Sequence, residues 1–469
     1  MNALKGKKAV YCTLGCKLNF AETSAIQQQM EAVGVETAGS GEAADICIVN
    51  TCSVTEVADS KSRQAISRLR RTHPGALMVV TGCYKPAFRP SEKAGGGFLF
   101  VDGKQKSEIG MLIARRMQAP YEGETGTPPL GEDRERLSFV PACACGERTR
   151  FFMKVQDGCD YFCSYCTIPF ARGRSRNGSI ASLVHQAKEA ARQGGKEIVL
   201  TGVNIGDFGK TTGERFIDLL HALDAVEGIA RYRISSIEPN LLTEEIIRFC
   251  AESRAFMPHF HIPLQGGSDE VLRLMHRRYD TKFFARKVEE VRRYIPDAFI
   301  GVDVIVGMRG ETKELFAKAR RFLESLPVSQ YHVFSYSERP GTKALGIPGK
   351  VAPQEKHERS RIIQSLSDEK RRIHYNIYRG QTRPVLLEHC NKGGALHGFT
   401  DNYIRVEALS DFPLGGEDAV VRPTKEASLS REGMGRPGGL EDMTNTIVPV
   451  HLGGWNEKGD ALMGEIVKE

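Results

Sequence analysis

Eight residues constrain this chain more than any others: Cys159-Asp160-Tyr161-Phe162-Cys163-Ser164-Tyr165-Cys166. The spacing C-x3-C-x2-C puts three thiols on one short loop, and no fourth cysteine or histidine follows closely. Three thiolates can hold three irons of a [4Fe–4S] cube and leave the fourth iron open to a substrate, which a fully ligated electron-transfer cluster cannot do. A zinc site is the alternative, but zinc sites usually show paired C-x2-4-C units and four ligands. The interleaved aromatics Tyr161, Phe162 and Tyr165 supply the apolar cover that a cluster needs against water.

At 469 residues the chain is too long for one core, and two to four domains are expected. A hydrophobic content of 41% fits a soluble globular protein. No apolar run in Met1 to Asn19 is long enough for a signal peptide, and no stretch is long and apolar enough for a membrane span. Twelve cysteines in such a protein argue for a reducing compartment, the cytoplasm, and for metal binding instead of disulfides. A net charge of +7 permits a polyanionic partner such as RNA without establishing one.

Three blocks emerge. From Lys7 to about Met117, strand-like runs (8–14, 45–51, 77–81, 98–101) alternate with helix-like runs (22–33, 55–72, 107–117), which predicts a parallel α/β sheet. A polar, Pro/Gly-rich stretch from Ala119 to Arg148 reads as linker. From Phe151 to about Tyr378, strands are expected at 151–156, 197–201, 232–236, 259–263, 300–306 and 331–336. Helices are expected at 180–193, 216–226, 243–252, 268–276 and 311–326. This is a partial (β/α)6 TIM-type barrel, whose chemistry belongs at the carboxyl ends of its strands. Cys159 follows the first strand, as that architecture requires. A charged helix, about Gln354 to Tyr378, closes the block. The remainder is Gly-rich with short strands (384–389, 403–408, 446–451, 461–467), which predicts a small β-barrel, with Ser410 to Asn445 as a long loop.

A second set of cysteines is scattered in sequence. Cys16, Cys52 and Cys83 each fall at the carboxyl end of a predicted parallel strand, and such ends gather along one crevice. They can hold a second cluster, or they can be three core cysteines, since free cysteine packs as a small hydrophobe. Cys12 and Cys47 lie inside strands and read as core, Cys250 and Cys390 as isolated packing residues, and Cys143 with Cys145 as an incidental exposed pair or a metal-binding one.

The Cys159–Cys166 run resembles the signature of the radical S-adenosylmethionine superfamily, and the whole chain resembles its methylthiotransferases. The first block carries Leu14-Gly15-Cys16-Lys17-Leu18-Asn19, Asn50-Thr51-Cys52 and Gly82-Cys83. The second carries Val155 through Cys166, Ile168-Pro169, Arg172-Gly173-Arg174-Ser175-Arg176, Leu200 to Asn204, His261 to Gln265 and Arg277-Arg278-Tyr279. The third resembles the RNA-binding TRAM barrel at Gly398 to Tyr403. On that basis the domains are expected at 1–125, 149–380 and 381–469, with a linker at 126–148. Leu-Gly-Cys-Lys-Leu-Asn is similar to the branch that acts on threonylcarbamoyl-adenosine in the tRNA anticodon loop. The other branches act on isopentenyl-adenosine in tRNA or on an aspartate of a ribosomal protein. Two departures from the family pattern stand out: Met308-Arg309 where Phe-Pro is common, and Gly266 where serine is commoner.

The resemblance implies two [4Fe–4S] clusters and S-adenosylmethionine. Cys159, Cys163 and Cys166 would hold the cluster that cleaves the cofactor, and Cys16, Cys52 and Cys83 the auxiliary cluster that carries the sulfur. A 5′-deoxyadenosyl radical would remove hydrogen from C2 of the adenine, and the carbon radical would take the methylated sulfur. Gly202, Asn204, Glu238, Gln265 and Asp303 are cofactor-site candidates. Arg172, Arg174 and Arg176 are candidates for tRNA contact, with a solvated charged loop as the plain alternative, and Arg371, Arg372 and Arg379 form a further basic stripe. tRNA and an electron donor such as a flavodoxin or ferredoxin are the expected partners, and the sulfur donor is left open. A different class of reading is a non-catalytic iron–sulfur RNA binder that senses redox state.

Overall fold

The computed structural model describes residues 4–39, 41–83, 97–118, 139–144, 149–390, 395–409 and 443–467. The first block is a five-stranded parallel sheet in the order Glu36–Thr37, Lys8–Thr13, Ile46–Thr51, Leu77–Gly82, Phe98–Phe100. Its three central strands are adjacent, and each runs straight into one of Cys16, Cys52 and Cys83. The strand Ile46–Thr51 is buried along its whole length, as a central parallel strand covered on both faces must be. The helices are Lys17–Ala32, Glu56–Thr72 and Ile109–Gln118.

The second block contains six parallel strands in chain order: Arg150–Lys154, Glu197–Thr201, Arg231–Ile234, His259–His261, Phe299–Val306 and Gln330–Ser335. The first three and the last three form separate ladders, linked by single bridges from Tyr232 to Phe256 and from Ser236 to His261. Ser179, Thr243, Ser268, Asp280 and Thr312 cap the barrel helices, each accepting a bond from the backbone N–H three residues on. The helix Thr281–Tyr294 joins the expected set. Part of the expected linker is also structured: Ala142–Ala144 pairs antiparallel with Arg150–Lys154 and extends the barrel wall. The expected linker at 126–138, Cys145 and the expected loop at 410–442 lie outside the described residues.

A six-stranded wall does not close, and the first helix fills the gap. Ala21, with Phe20 and Ala25 beside it, packs on Phe152 and Val199 of the inner barrel face. The Phe20 and Phe152 rings lie 6.4 Å apart. At the other end sits a closed five-stranded barrel, 382–390, 396–400, 405–409, 462–466 and 447–455, one strand more than expected. Arg231 donates to the Phe399 and Pro384 carbonyls, and Arg233 to those of Asp401 and Thr400. These bonds seat the small barrel against the amino ends of the large barrel's strands. Among the described residues no helix is long and apolar enough to cross a membrane.

Candidate active site

The first cysteine triad is assembled by amides and glycines. Asn19 donates to the carbonyls of Leu14 and Thr51 at 2.7 and 3.0 Å, which ties the Cys16 turn to the Cys52 turn. Asn50 donates back to the Asn19 carbonyl at 3.0 Å. The Cys83 N–H bonds the Thr51 carbonyl at 3.2 Å, and Thr51 Oγ1 bonds the Thr81 carbonyl at 2.7 Å. Gly82 has φ +117, and a Cβ there would lie 2.3 Å from the Thr51 oxygen, so only glycine lets the two turns approach. Burial pushes the Cys52 thiol up to about 11, with neighbouring Cys83 and Cys16 adding to the rise. A thiol raised in this way stays neutral until a bound metal centre deprotonates it.

The second triad lies on the loop after Arg150–Lys154. Gly158 takes φ +71 with the Arg174 carbonyl where its Cβ would be, at 2.0 Å, so the loop folds tightly onto its own return segment. Burial raises the Cys166 thiol to about 12 and the Cys159 thiol to about 11, and Cys163 raises both further. Arg277 Nη1 donates to the Cys163 sulfur at 3.2 Å, and the Ile168 N–H to that of Cys166 at 3.4 Å. Three thiols with adjacent cationic and N–H donors are a fitting donor set for an anionic iron–sulfur cluster. Among the described residues no three Cys, His, Asp or Glu side chains close around a single ion.

The cofactor candidates fall around this loop. Gln156, which the sequence reading passed over, clamps it. Its Nε2 donates to the carbonyls of Asp157 and Gly158 and to Ser175 Oγ, while its Oε1 accepts from the N–H groups of Val203 and Asn204. Gly202 packs so closely that a Cβ would lie 2.8 Å from Ile205 and 2.9 Å from the Gln156 carbonyl. Asn204 is 3% exposed, yet both polar atoms of its side chain lack a partner. A buried amide left without partners marks a place for a polar ligand. Glu238 is engaged by Arg277, and burial outweighs that cation to raise its carboxyl. Asp303 holds His261 Nε2 at 2.7 Å, and Gln265 takes φ +70 beside it in a bridge to Val304.

Of the three arginines that are candidates for tRNA contact, two are turned away from solvent. Arg172 and Arg176 are 6% and 7% exposed and face inward. Arg172 donates to Glu22 Oε1 and Asp157 Oδ1, both at 3.0 Å, to Asn19 Oδ1 at 2.7 Å and to the Cys83 sulfur at 3.3 Å. Arg176 donates to Asp157 at 2.7 Å. Lys106 and Lys154 complete the cluster around Glu22. Burial works against ionising the Glu22 and Asp157 carboxyls, but this ring of cations wins and holds both below the usual range. Only Arg174 presents its guanidinium to solvent, with 78% of the side chain exposed, over the Phe162 ring. Arg309 pairs with Glu338 at 2.7 Å and the Ile347 carbonyl, and Met308 is core. Arg371 bonds Asp368 and the Gly459 carbonyl.

The chain matches two family models, the radical SAM superfamily over residues 153–323 and the uncharacterised protein family UPF0004 over residues 8–93. It is 37% identical to the threonylcarbamoyladenosine tRNA methylthiotransferase MtaB of Bacillus subtilis, over 90% of this chain and 94% of that one. With the protein of the same name from Chlamydia pneumoniae it shares 32% over 99% of both chains. A tRNA-2-methylthio-N(6)-dimethylallyladenosine synthase of Syntrophus aciditrophicus is 32% identical over 82% of this chain and 85% of its own length. Among solved structures, the radical S-adenosylmethionine methyltransferase TsrM of Kitasatospora setae superposes with a TM-score of 0.51 at 16% identity, covering 72% of this chain and 77% of that one. That likeness speaks for the fold.

Proposed function

Because the chain belongs to the tRNA methylthiotransferase family of radical S-adenosylmethionine enzymes, we propose that it adds a methylthio group to C2 of threonylcarbamoyl-adenosine in the tRNA anticodon loop. The observation that supports this reading is the Arg172 guanidinium, from the helix Ile168–Arg172 that follows Cys166, donating to the sulfur of Cys83, so that the segment after the second triad packs on a thiol of the first. A target held between two such centres is the arrangement that sulfur insertion at an unreactive carbon demands.

Cys159, Cys163 and Cys166 would hold the cluster that meets S-adenosylmethionine, and Cys16, Cys52 and Cys83 a second one. When bound, these groups supply one-electron cleavage of the cofactor and a carbon radical able to take hydrogen from an aromatic C–H, which no side-chain base can do. The protein's part is placement. Gln156 fixes the cluster loop to the Gly202–Asn204 turn, and the Asn204 amide is free to orient the cofactor. Arg277 donates to the Cys163 sulfur and would offset the charge of a cluster held there. The first helix, packed on Phe152 and Val199, would close one side of the chamber against water. The base must leave its stack to enter, at a cost of a few kcal/mol for a loop nucleotide. Arg174 and the C-terminal barrel would contact RNA, and a flavodoxin or ferredoxin in the cytoplasm would supply electrons.

The test is nucleoside mass analysis of tRNA from cells lacking this activity, after incubation with anaerobically reconstituted protein, S-adenosylmethionine and reductant. A methylthio gain on threonylcarbamoyl-adenosine is expected. The same gain on dimethylallyl-adenosine would move the enzyme to the other branch, and deoxyadenosine release without any nucleoside change would point to a substrate other than tRNA.

A further inference from the structure

The large barrel contains a cation that the fold does not use. Lys17 is the first residue of the helix Lys17–Ala32. Residues three and four positions on, Phe20 and Ala21, share its face and dock on Phe152 and Val199 of the inner wall. Lys17 therefore lies on the barrel-facing side. Its charge reaches His259 and His332 on two different strands and Tyr403 of the small barrel. At His332 burial and His261 are the larger causes of a fall to about 4, to which Lys17 adds. At Tyr403 burial pushes upward, but Lys17 and Arg150 outweigh it.

Lys17 is part-buried and makes no hydrogen bond or ion pair among the described residues. Three other lysines of the same block, Lys7, Lys8 and Lys106, each hold a carboxylate. Facing the chamber, the His261 and His332 rings stack at 4.9 Å, and Asp303 is already engaged by His261 at 2.7 Å. Gly301 leaves space for the His332 ring, since a Cβ there would come within 3.3 Å of Nε2. A partly desolvated ammonium without a counterion is complementary to a ligand carboxylate, through a charge-assisted hydrogen bond.

We infer that Lys17 is a specificity-determining residue whose ammonium receives the carboxylate of the threonylcarbamoyl substituent inside the barrel. The inference rests on the substrate proposed above. That substituent carries one carboxylate and one hydroxyl. The dimethylallyl substituent and the bare amino group of adenine carry neither, so a chamber built around Lys17 leaves a part-buried charge unpaired with them.

The test uses the full chain and two anticodon stem-loop RNAs, one with threonylcarbamoyl-adenosine and one with its carboxylate capped as the methyl ester. Fluorescence anisotropy should show the wild-type protein binding the acid tighter than the ester by about tenfold or more, the scale of a hydrogen bond to a charged group. The preference should vanish in Lys17→Met and in Lys17→Gln and survive in part in Lys17→Arg. Thermal melting shows which variants are folded, and the ester comparison on wild-type protein needs no variant at all. A folded Lys17→Met protein that still separates acid from ester overturns the assignment. So does a wild-type protein that binds both equally while methylthiolating threonylcarbamoyl tRNA. Equal binding with no methylthio product on that tRNA overturns the substrate reading and the inference together.

Discussion

The Nε of Arg172 donates to the sulfur of Cys83 across 3.3 Å, while the other nitrogens of the same guanidinium hold Glu22, Asp157 and Asn19. One side chain from the large barrel thus fixes a thiol of the N-terminal sheet. Removing it takes one cation from each of two buried carboxylates, leaving Glu22 to Lys106 and Lys154 and Asp157 to Lys154 and Arg176. Arg172→Met should cost about 3–5 kcal/mol, the usual penalty for breaking a buried ion pair. Urea unfolding should show it as a lower midpoint. Arg172→Lys keeps the charge but loses the fork, and should fall between the two.

The two triads should separate in function. Cys163→Ala should abolish deoxyadenosine release from S-adenosylmethionine. Cys52→Ala should retain that release and lose methylthio transfer. Full cofactor cleavage by the first variant, or product from the second, would reassign the ligands. Anaerobic turnover with chromatography of both products reads the two outcomes side by side.

Two glycines admit no side chain. At Gly82 a Cβ meets the Thr51 oxygen at 2.3 Å, and at Gly158 it meets the Arg174 oxygen at 2.0 Å, both at positive φ. Gly82→Ala and Gly158→Ala should each destabilise by roughly 1–3 kcal/mol or more, the range for an incompatible backbone site. The first should release iron from the N-terminal triad sooner than from the barrel loop, and the second the reverse. Metal analysis after mild chelation distinguishes them.

Acid should loosen the seat of the small barrel. Burial, reinforced by Arg292 and Arg383, holds His374 at about 3, and burial with His261 holds His332 at about 4. Both rings are neutral in the folded protein. The unfolded chain takes up protons below the ordinary histidine value near 6.5, so stability present above that pH declines as the pH falls toward the folded values. Thermal melts from pH 7.5 to 4.5 should show the decline, and His374→Gln should flatten it.

The cysteine positions were legible because a parallel strand announces itself as a short apolar run, and Cys16, Cys52 and Cys83 each stand just past one. The strand Leu396–Thr400 was missed because Gly398 interrupts its pattern, and it is there because a Cβ would lie 2.2 Å from the Leu386 oxygen. Arg172 and Arg176 looked like a surface stripe because a run of charges normally is one. What inverts them is Glu22, 150 residues upstream of Arg172, together with Asp157. Pairings over such separations leave no trace in a local pattern. Gln156 was passed over for the same reason, since its role consists of bonds to a turn 47 and 48 residues later.

The helix Lys17–Ala32 packs into the open side of a barrel whose first strand begins at Arg150. During synthesis, therefore, the chain finishes the plug before it starts the wall. Domains generally fold in order of emergence, so the nascent strands meet an apolar template, Phe20, Ala21 and Ala25, already in place. The N-terminal sheet is then more than a cysteine carrier. It also offers the patch of barrel wall at Phe152 and Val199 an apolar partner that exists before those residues are made.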